Sequence, residues 1–169
     1  MLDRRSYILE RLAGGQTVSA AALAEALGVE RETIWADIVQ LREQGSCILS
    51  TPRGYRISTD EAGACQRVVT VRHDESRVRE ELYLVIDLGG WVLDVSIQHE
   101  RLGLLAGELN LRSRYEADCF LEKSVDQFLL CDMNDGTHKH TIQCPDPGVM
   151  DRVLRALGAA GFLAESGAQ

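Results

Sequence analysis

The stretch Ser19-Ala20-Ala21-Ala22-Leu23-Ala24-Glu25-Ala26-Leu27-Gly28-Val29-Glu30-Arg31-Glu32-Thr33-Ile34-Trp35-Ala36-Asp37-Ile38-Val39-Gln40-Leu41-Arg42 holds two helices and the turn between them. Ser19 is a suitable N-cap for the first, over residues 20–27, with Leu23 and Leu27 as its short apolar face. Gly28 permits the left-handed backbone that ends a helix. After Val29 a second helix runs over about residues 31–44, with Ile34, Ile38 and Leu41 at i, i+4 and i+7 on the core side. Two helices joined so tightly read as helix-turn-helix.

Working outward, Tyr7, Ile8 and Leu12 lie on one side of a helix over about residues 3–12, which Gly14-Gly15 ends. Downstream, Cys47-Ile48-Leu49-Ser50 and Tyr55-Arg56-Ile57 are extended runs flanking Thr51-Pro52-Arg53-Gly54, a hairpin tip carrying an arginine. In order and spacing, Leu23 to Val29, Thr33-Ile34, Asp37-Ile38, Leu41-Arg42 and Thr51 to Tyr55 resemble the winged helix of biotin-repressor-type regulators. That resemblance implies DNA binding, with the start of the third helix in the major groove. Arg31, Thr33 and Trp35 would then meet bases or phosphate, Gln40 and Arg42 the backbone, and Arg53 would reach in from the wing. Such regulators commonly carry serine where this chain has Glu30, and Glu30, Glu32 and Asp37 bring negative charge near the expected DNA face. Modest, salt-sensitive binding is expected. The competing reading is a winged helix used for protein contacts alone.

The chain has 169 residues, 45% hydrophobic and 26% charged, with a net charge of −8. This is a soluble globular composition, sufficient for one domain or two small ones. No apolar run suits a membrane span, the N-terminus has no signal-peptide core, and a cytoplasmic protein is expected. Up to residue 58, seven arginines balance seven acids, so the whole negative charge belongs to the remainder. The division expected is a winged helix over residues 1–58, a linker over 59–65 and a second domain over 66–169. The five cysteines are scattered, with no Cys-x-x-Cys, against both a disulfide framework and a zinc ribbon.

The second domain alternates strand and helix. Residues 67–73 are β-branched and strand-like; 75–88 carry Val78, Leu82, Val85 and Ile86 on one helical stripe; 91–99 and 103–111 alternate as strands about a turn at Arg101-Leu102-Gly103. Ser113 and Glu116 suggest a capping box for a helix over 114–125. Residues 128–132 form another extended run; Pro147 opens a last helix through Leu157, and 162–165 form a closing strand. The fold class expected is α+β: a winged helix followed by an α/β sandwich on a mostly antiparallel sheet.

All four histidines lie in this second domain. In Gly136-Thr137-His138-Lys139-His140-Thr141-Ile142 the two imidazoles are at i and i+2 and leave one strand face together, after a turn at Asp135-Gly136. Alone, the pair reads more readily as a polar strand end with two solvated histidines. His73, however, closes the first strand, and on the following helix Glu81 turns toward the apolar stripe while Glu80 turns away. Three nitrogens and one carboxylate suit zinc, nickel, copper or iron, rather than calcium or magnesium. His73, Glu81, Asp87-Leu88-Gly89-Gly90, Asp94-Val95, His99, Gly103 and the His-x-His run resemble the 3H domain. Behind a winged helix, that domain is found in niacin-responsive transcriptional repressors of NAD-precursor synthesis or uptake genes. The resemblance implies a metal, nickel or zinc, held by His73, Glu81, His138 and His140, nicotinic acid as co-repressor, and a homodimer on operator DNA. His99 is read as a pocket residue, a binder of the ligand carboxylate, or a strand-end histidine. The chain has Glu100 and Leu102 where the family has proline and tyrosine, and a polar run, Cys131 to Asp135, where the family is apolar. Two other readings are a metal-dependent enzyme with Glu80 or Glu108 as base, and a metal or redox sensor in which Cys144, on the His-x-His face, joins the site.

Overall fold

A computed structural model describes residues 3–58, 65–123 and 134–164. Helices α1 (Arg4–Ala13), α2 (Ala20–Leu27) and α3 (Arg31–Glu43) precede a hairpin of β1 (Ile48–Thr51) and β2 (Gly54–Ile57). Ser19 Oγ accepts from the Ala22 N–H at 3.0 Å, and Gly28, at φ +64°, closes α2 in the left-handed region. Glu30 stands at the N-cap of α3 without making a side-chain cap bond. Ile8, Leu12, Leu23, Ile34, Ile38, Leu41, Ile48 and Tyr55 form the core of this winged helix. The wing is anchored where Tyr55 bridges Val18. Gly54, at φ +135°, is required there, because a Cβ would lie 2.3 Å from the Val18 carbonyl oxygen.

Strands β3 (Cys65–Arg72), β4 (Trp91–His99), β5 (Gly103–Leu111) and β6 (Thr137–Cys144) form one antiparallel sheet in the order β3-β6-β4-β5. The strand latest in the chain thus fills the middle. A 3₁₀ turn at Glu75–Arg77 leads into α4 (Val78–Asp87); α5 (Arg114–Lys123) and α6 (Pro147–Ala159) complete the helices described. The capping box forms, with Ser113 Oγ accepting from the Glu116 N–H and Glu116 accepting from the Ser113 N–H, both at 3.1 Å. The closing strand is reduced, among the described residues, to one bridge between Val71 and Leu163. Residues 59–64, 124–133 and 165–169, which include the expected run at 128–132 and most of the linker, lie outside the described set.

Alternation along each strand gives the sheet two different faces. On one, Val71, Ile142 and Cys144 join Leu82, Val85, Val149, Val153, Leu157 and Phe162 from the helical side in a single apolar core. On the other, the winged helix is bonded to polar side chains. Arg42 reaches Asp94, Glu43 reaches Ser96 and Lys139, and the Ser50 N–H donates to Gln143. The molecule is therefore three layers: helices, sheet and winged helix.

Candidate metal centre

His138 and His140 leave the helical face of β6, and Val71 and Val69 lie opposite them on β3. His73 follows β3 directly. Glu81, in the first turn of α4, is 2% exposed, whereas Glu80 faces out and pairs with Arg77. The three rings surround the Glu81 carboxylate. His73 Nε2 is 2.7 Å and His138 Nε2 3.8 Å from Oε2, and His140 Nε2 is 3.4 Å from Oε1. Ligand atoms of His73, Glu81 and His138 all lie within 4.8 Å of one another.

The opposite edge of each ring decides what this cluster can hold. His73 Nδ1 is 2.8 Å from the Asp74 carbonyl, His138 Nδ1 2.9 Å from that of Gly136, and His140 Nδ1 2.8 Å from that of Asp94. A carbonyl only accepts, so each Nδ1 carries a proton and each neutral ring turns an Nε2 lone pair inward. Three lone pairs and a carboxylate then meet with no N–H between them. Protons or a cation must compensate. Burial opposes protonation of His73 and His140, but the Glu81 charge and hydrogen bonds overcome it and raise both pKa values. Burial dominates at His138 and lowers its pKa. Burial also opposes ionisation of Glu81, yet the three histidines hold its carboxyl well below the usual range. A buried, ionised carboxylate among inward lone pairs, with every outer nitrogen fixed by a second partner, is a donor set that fits a divalent transition metal.

Gly136 locks this arrangement. It lies at φ +75°, its carbonyl accepts from the His73 N–H at 3.3 Å as well as from His138, and a Cβ would stand 2.2 Å from the His73 oxygen. Phe162 closes the site edge-on to His73, with ring centroids 5.4 Å apart.

Residues 66–166 match the 3H domain and residues 4–56 an HTH domain. The chain is 39% identical over 163 residues to the probable transcription repressor NiaR of Thermotoga maritima, covering 95% of this chain and 91% of that protein. The chain belongs to the NiaR/NadR family of transcription repressors. It is also 32% identical over 168 residues to the transcription repressor NadR of Bacillus subtilis, covering 95% of this chain and 93% of that one. A repressor of the NiaR/NadR type with an HTH domain is a DNA-binding regulator, not an enzyme. Neither suggested base faces the histidines: Glu80 points outward, and Glu108 lies near the Tyr55 hydroxyl on the winged-helix side. Among the described residues no helix is long and apolar enough to cross a membrane.

The remaining expectations for this NiaR/NadR-type chain fare unevenly. Arg31 and the wing-tip Arg53 are exposed, and Thr33, further along α3, is half-exposed. Trp35 is half-buried in a cleft against β5. Arg42 is corrected. It is buried between the layers, with Nη1 3.0 Å from Asp94, Nε donating to the Ile48 carbonyl and Nη2 to Ser50 Oγ, so it offers nothing to DNA. Asp37 is corrected too, because Arg4 neutralises it in the interior and it brings no charge to the DNA face. His99 closes its own hairpin, Nδ1 accepting from the Arg101 and Leu102 N–H groups at 3.2 Å each, as a strand-end histidine does. Cys144 shares the His-x-His face, but it is not among the residues whose ligand atoms converge with those of His73, Glu81 and His138, and burial pushes its thiol up to about 12. Asp94, Gly136 and Phe162 were not identified as site residues from the sequence. Asp94 and Gly136 act through backbone carbonyls, which a side-chain motif does not display.

Proposed function

We propose that this chain represses genes of NAD-precursor (niacin) synthesis or uptake, binding operator DNA as a homodimer with nicotinic acid as co-repressor. The observation that carries the reading is the convergence of three Nε2 atoms on the buried Glu81. His73, Glu81, His138 and His140 would hold nickel or zinc, which when bound supplies a Lewis-acidic centre able to take a pyridine carboxylate. The chain's own residues do the rest. The Asp74, Gly136 and Asp94 carbonyls keep the rings in the Nδ1–H form, and Phe162 walls off solvent beside His73. Asp94 links this site to the DNA-binding layer: its carbonyl orients His140, one carboxylate oxygen accepts from the Thr141 N–H at 3.0 Å, and the other holds Arg42 of α3. A change in how His140 is engaged therefore bears on the helix that enters DNA. An HTH dimer reading two half-sites would convert a small reorientation into a change of spacing.

The test is an operator titration by fluorescence anisotropy with nicotinate, with nicotinamide, and after chelation. Tightened binding that needs both nicotinate and metal is expected. Operator binding indifferent to all three would remove the effector from this reading.

A further inference from the structure

Outside the metal centre, the described surface holds a polar cleft of about 280 Å³ between the winged helix and β5. Three arginines from three separate elements line it: Arg31 at the start of α3, Arg53 at the wing tip and Arg112 just beyond β5. Among the described residues none of these guanidinium groups has a carboxylate partner within salt-bridge distance. Their convergence concentrates positive charge in one cleft of a chain whose net charge is −8. The cleft has one carboxylate, Glu108, to which the Asn110 amide donates and near which the Tyr55 hydroxyl lies at 3.5 Å. Arg112 is not loose. Its guanidinium carbon sits 4.4 Å from the centre of the Trp91 ring, which orients it while leaving its hydrogen-bond donors free. Three arginines converging on one cleft beside a helix-turn-helix and a wing, one of them stacked on an indole, are a footprint for nucleic-acid phosphate.

We infer that the 3H domain itself touches DNA, with Arg112 contacting a backbone phosphate of the duplex that Arg31 and Arg53 engage. The inference rests on the DNA-binding reading above and extends the interface across the domain boundary. The two arms of the protein would grip one strand from opposite sides of the cleft, so rotation of the sheet against the winged helix changes the phosphate contacts directly.

The experiment is a salt titration of the full chain, loaded with metal, against a fluorescent operator duplex and a scrambled duplex of equal length. Removing one phosphate-binding arginine should reduce the slope of log K against log[salt] by about 0.9 per protomer, and weaken binding about eightfold per protomer at 0.1 M salt. Arg112→Ala should do this on both duplexes, Arg112→Lys should restore the slope, and Arg79→Ala, in its ion pair with Asp118, should match the wild type. Thermal unfolding and metal content of Arg112→Ala should be unchanged. Wild-type slope and affinity in Arg112→Ala would overturn the inference. So would loss of inorganic pyrophosphate binding with DNA binding intact, which would make the cleft a small-anion site. A wild type that binds no duplex would sink the DNA-binding reading as well, which separates the two failures.

Discussion

The carboxylate of Asp94 holds the guanidinium of Arg42 at 3.0 Å between the sheet and the winged helix, where each side chain is 4% exposed. Burial pushes the Asp94 pKa up and the Arg42 pKa down, each against the attraction of its partner. A pair whose desolvation exceeds its attraction contributes orientation more than stability. Asp94→Asn should keep metal and nicotinate binding, since the backbone carbonyl still fixes His140, while leaving Arg42 charged and unpaired at a cost of about 3–5 kcal/mol. The double substitution Arg42→Met with Asp94→Leu should recover most of that stability in urea denaturation. Both variants should bind operator with no response to nicotinate; a retained response would remove Asp94 from the coupling.

Metal binding should strengthen with pH, in a direction the site sets. His73 and His140 are raised above the ordinary imidazole value, so their pairing with Glu81 stabilises the metal-free fold fully below that value and is lost as pH rises through the raised ones. Depressed Glu81 contributes above the usual carboxylate range and is lost only in strong acid, whereas His138, lowered by burial, resists protonation. Around neutrality protons and metal compete for the same lone pairs. The rise in Tm on adding nickel or zinc should accordingly be larger near pH 8 than near pH 6. An equal rise at both would contradict the proton competition.

His138→Ala and Glu81→Gln should each lose stoichiometric metal on elemental analysis, because each removes a donor or the buried charge. Cys144→Ala should retain it, and loss of metal there would place the thiol in the site.

Gly136→Ala must adopt φ +75° and drive a methyl into the His73 carbonyl. The left-handed backbone alone costs about 1–2 kcal/mol. Reduced thermal stability together with weakened metal binding is expected; wild-type values in both would mean the loop relaxes freely.

Glu30→Ser should supply the missing cap of α3, stabilise the protein by about 1 kcal/mol in denaturant unfolding, and tighten operator binding by removing a negative charge. No gain in either would show that the helix start is already satisfied by solvent.

The winged helix was readable because its signals are local: a cap at Ser19, a left-handed Gly28, and a 3.6-residue stripe ending in a Pro-Gly wing. The inward Glu81 and the shared face of His138 and His140 were readable because helix pitch and strand alternation assign them without tertiary knowledge. The burial of Arg42 was not, since its partner is 52 positions away on a strand whose outer face the sequence leaves looking solvated. Ser96, Lys139 and Gln143 on that face read as surface residues until the winged helix is laid on them. The roles of Asp94 and Gly136 were hidden for a different reason, being carried by main-chain oxygens that every residue has.

Placing β6 in the middle of the sheet also sets an order of assembly. His73 and Glu81 are near neighbours in the chain, but their partners arrive on a strand that must insert between β3 and β4 after both have been made. Such distant pairings form late and slowly. A metal-loaded site therefore certifies a completed sheet, and with it the platform on which the winged helix rests. On the proposed function, sensing begins only once the chain is whole.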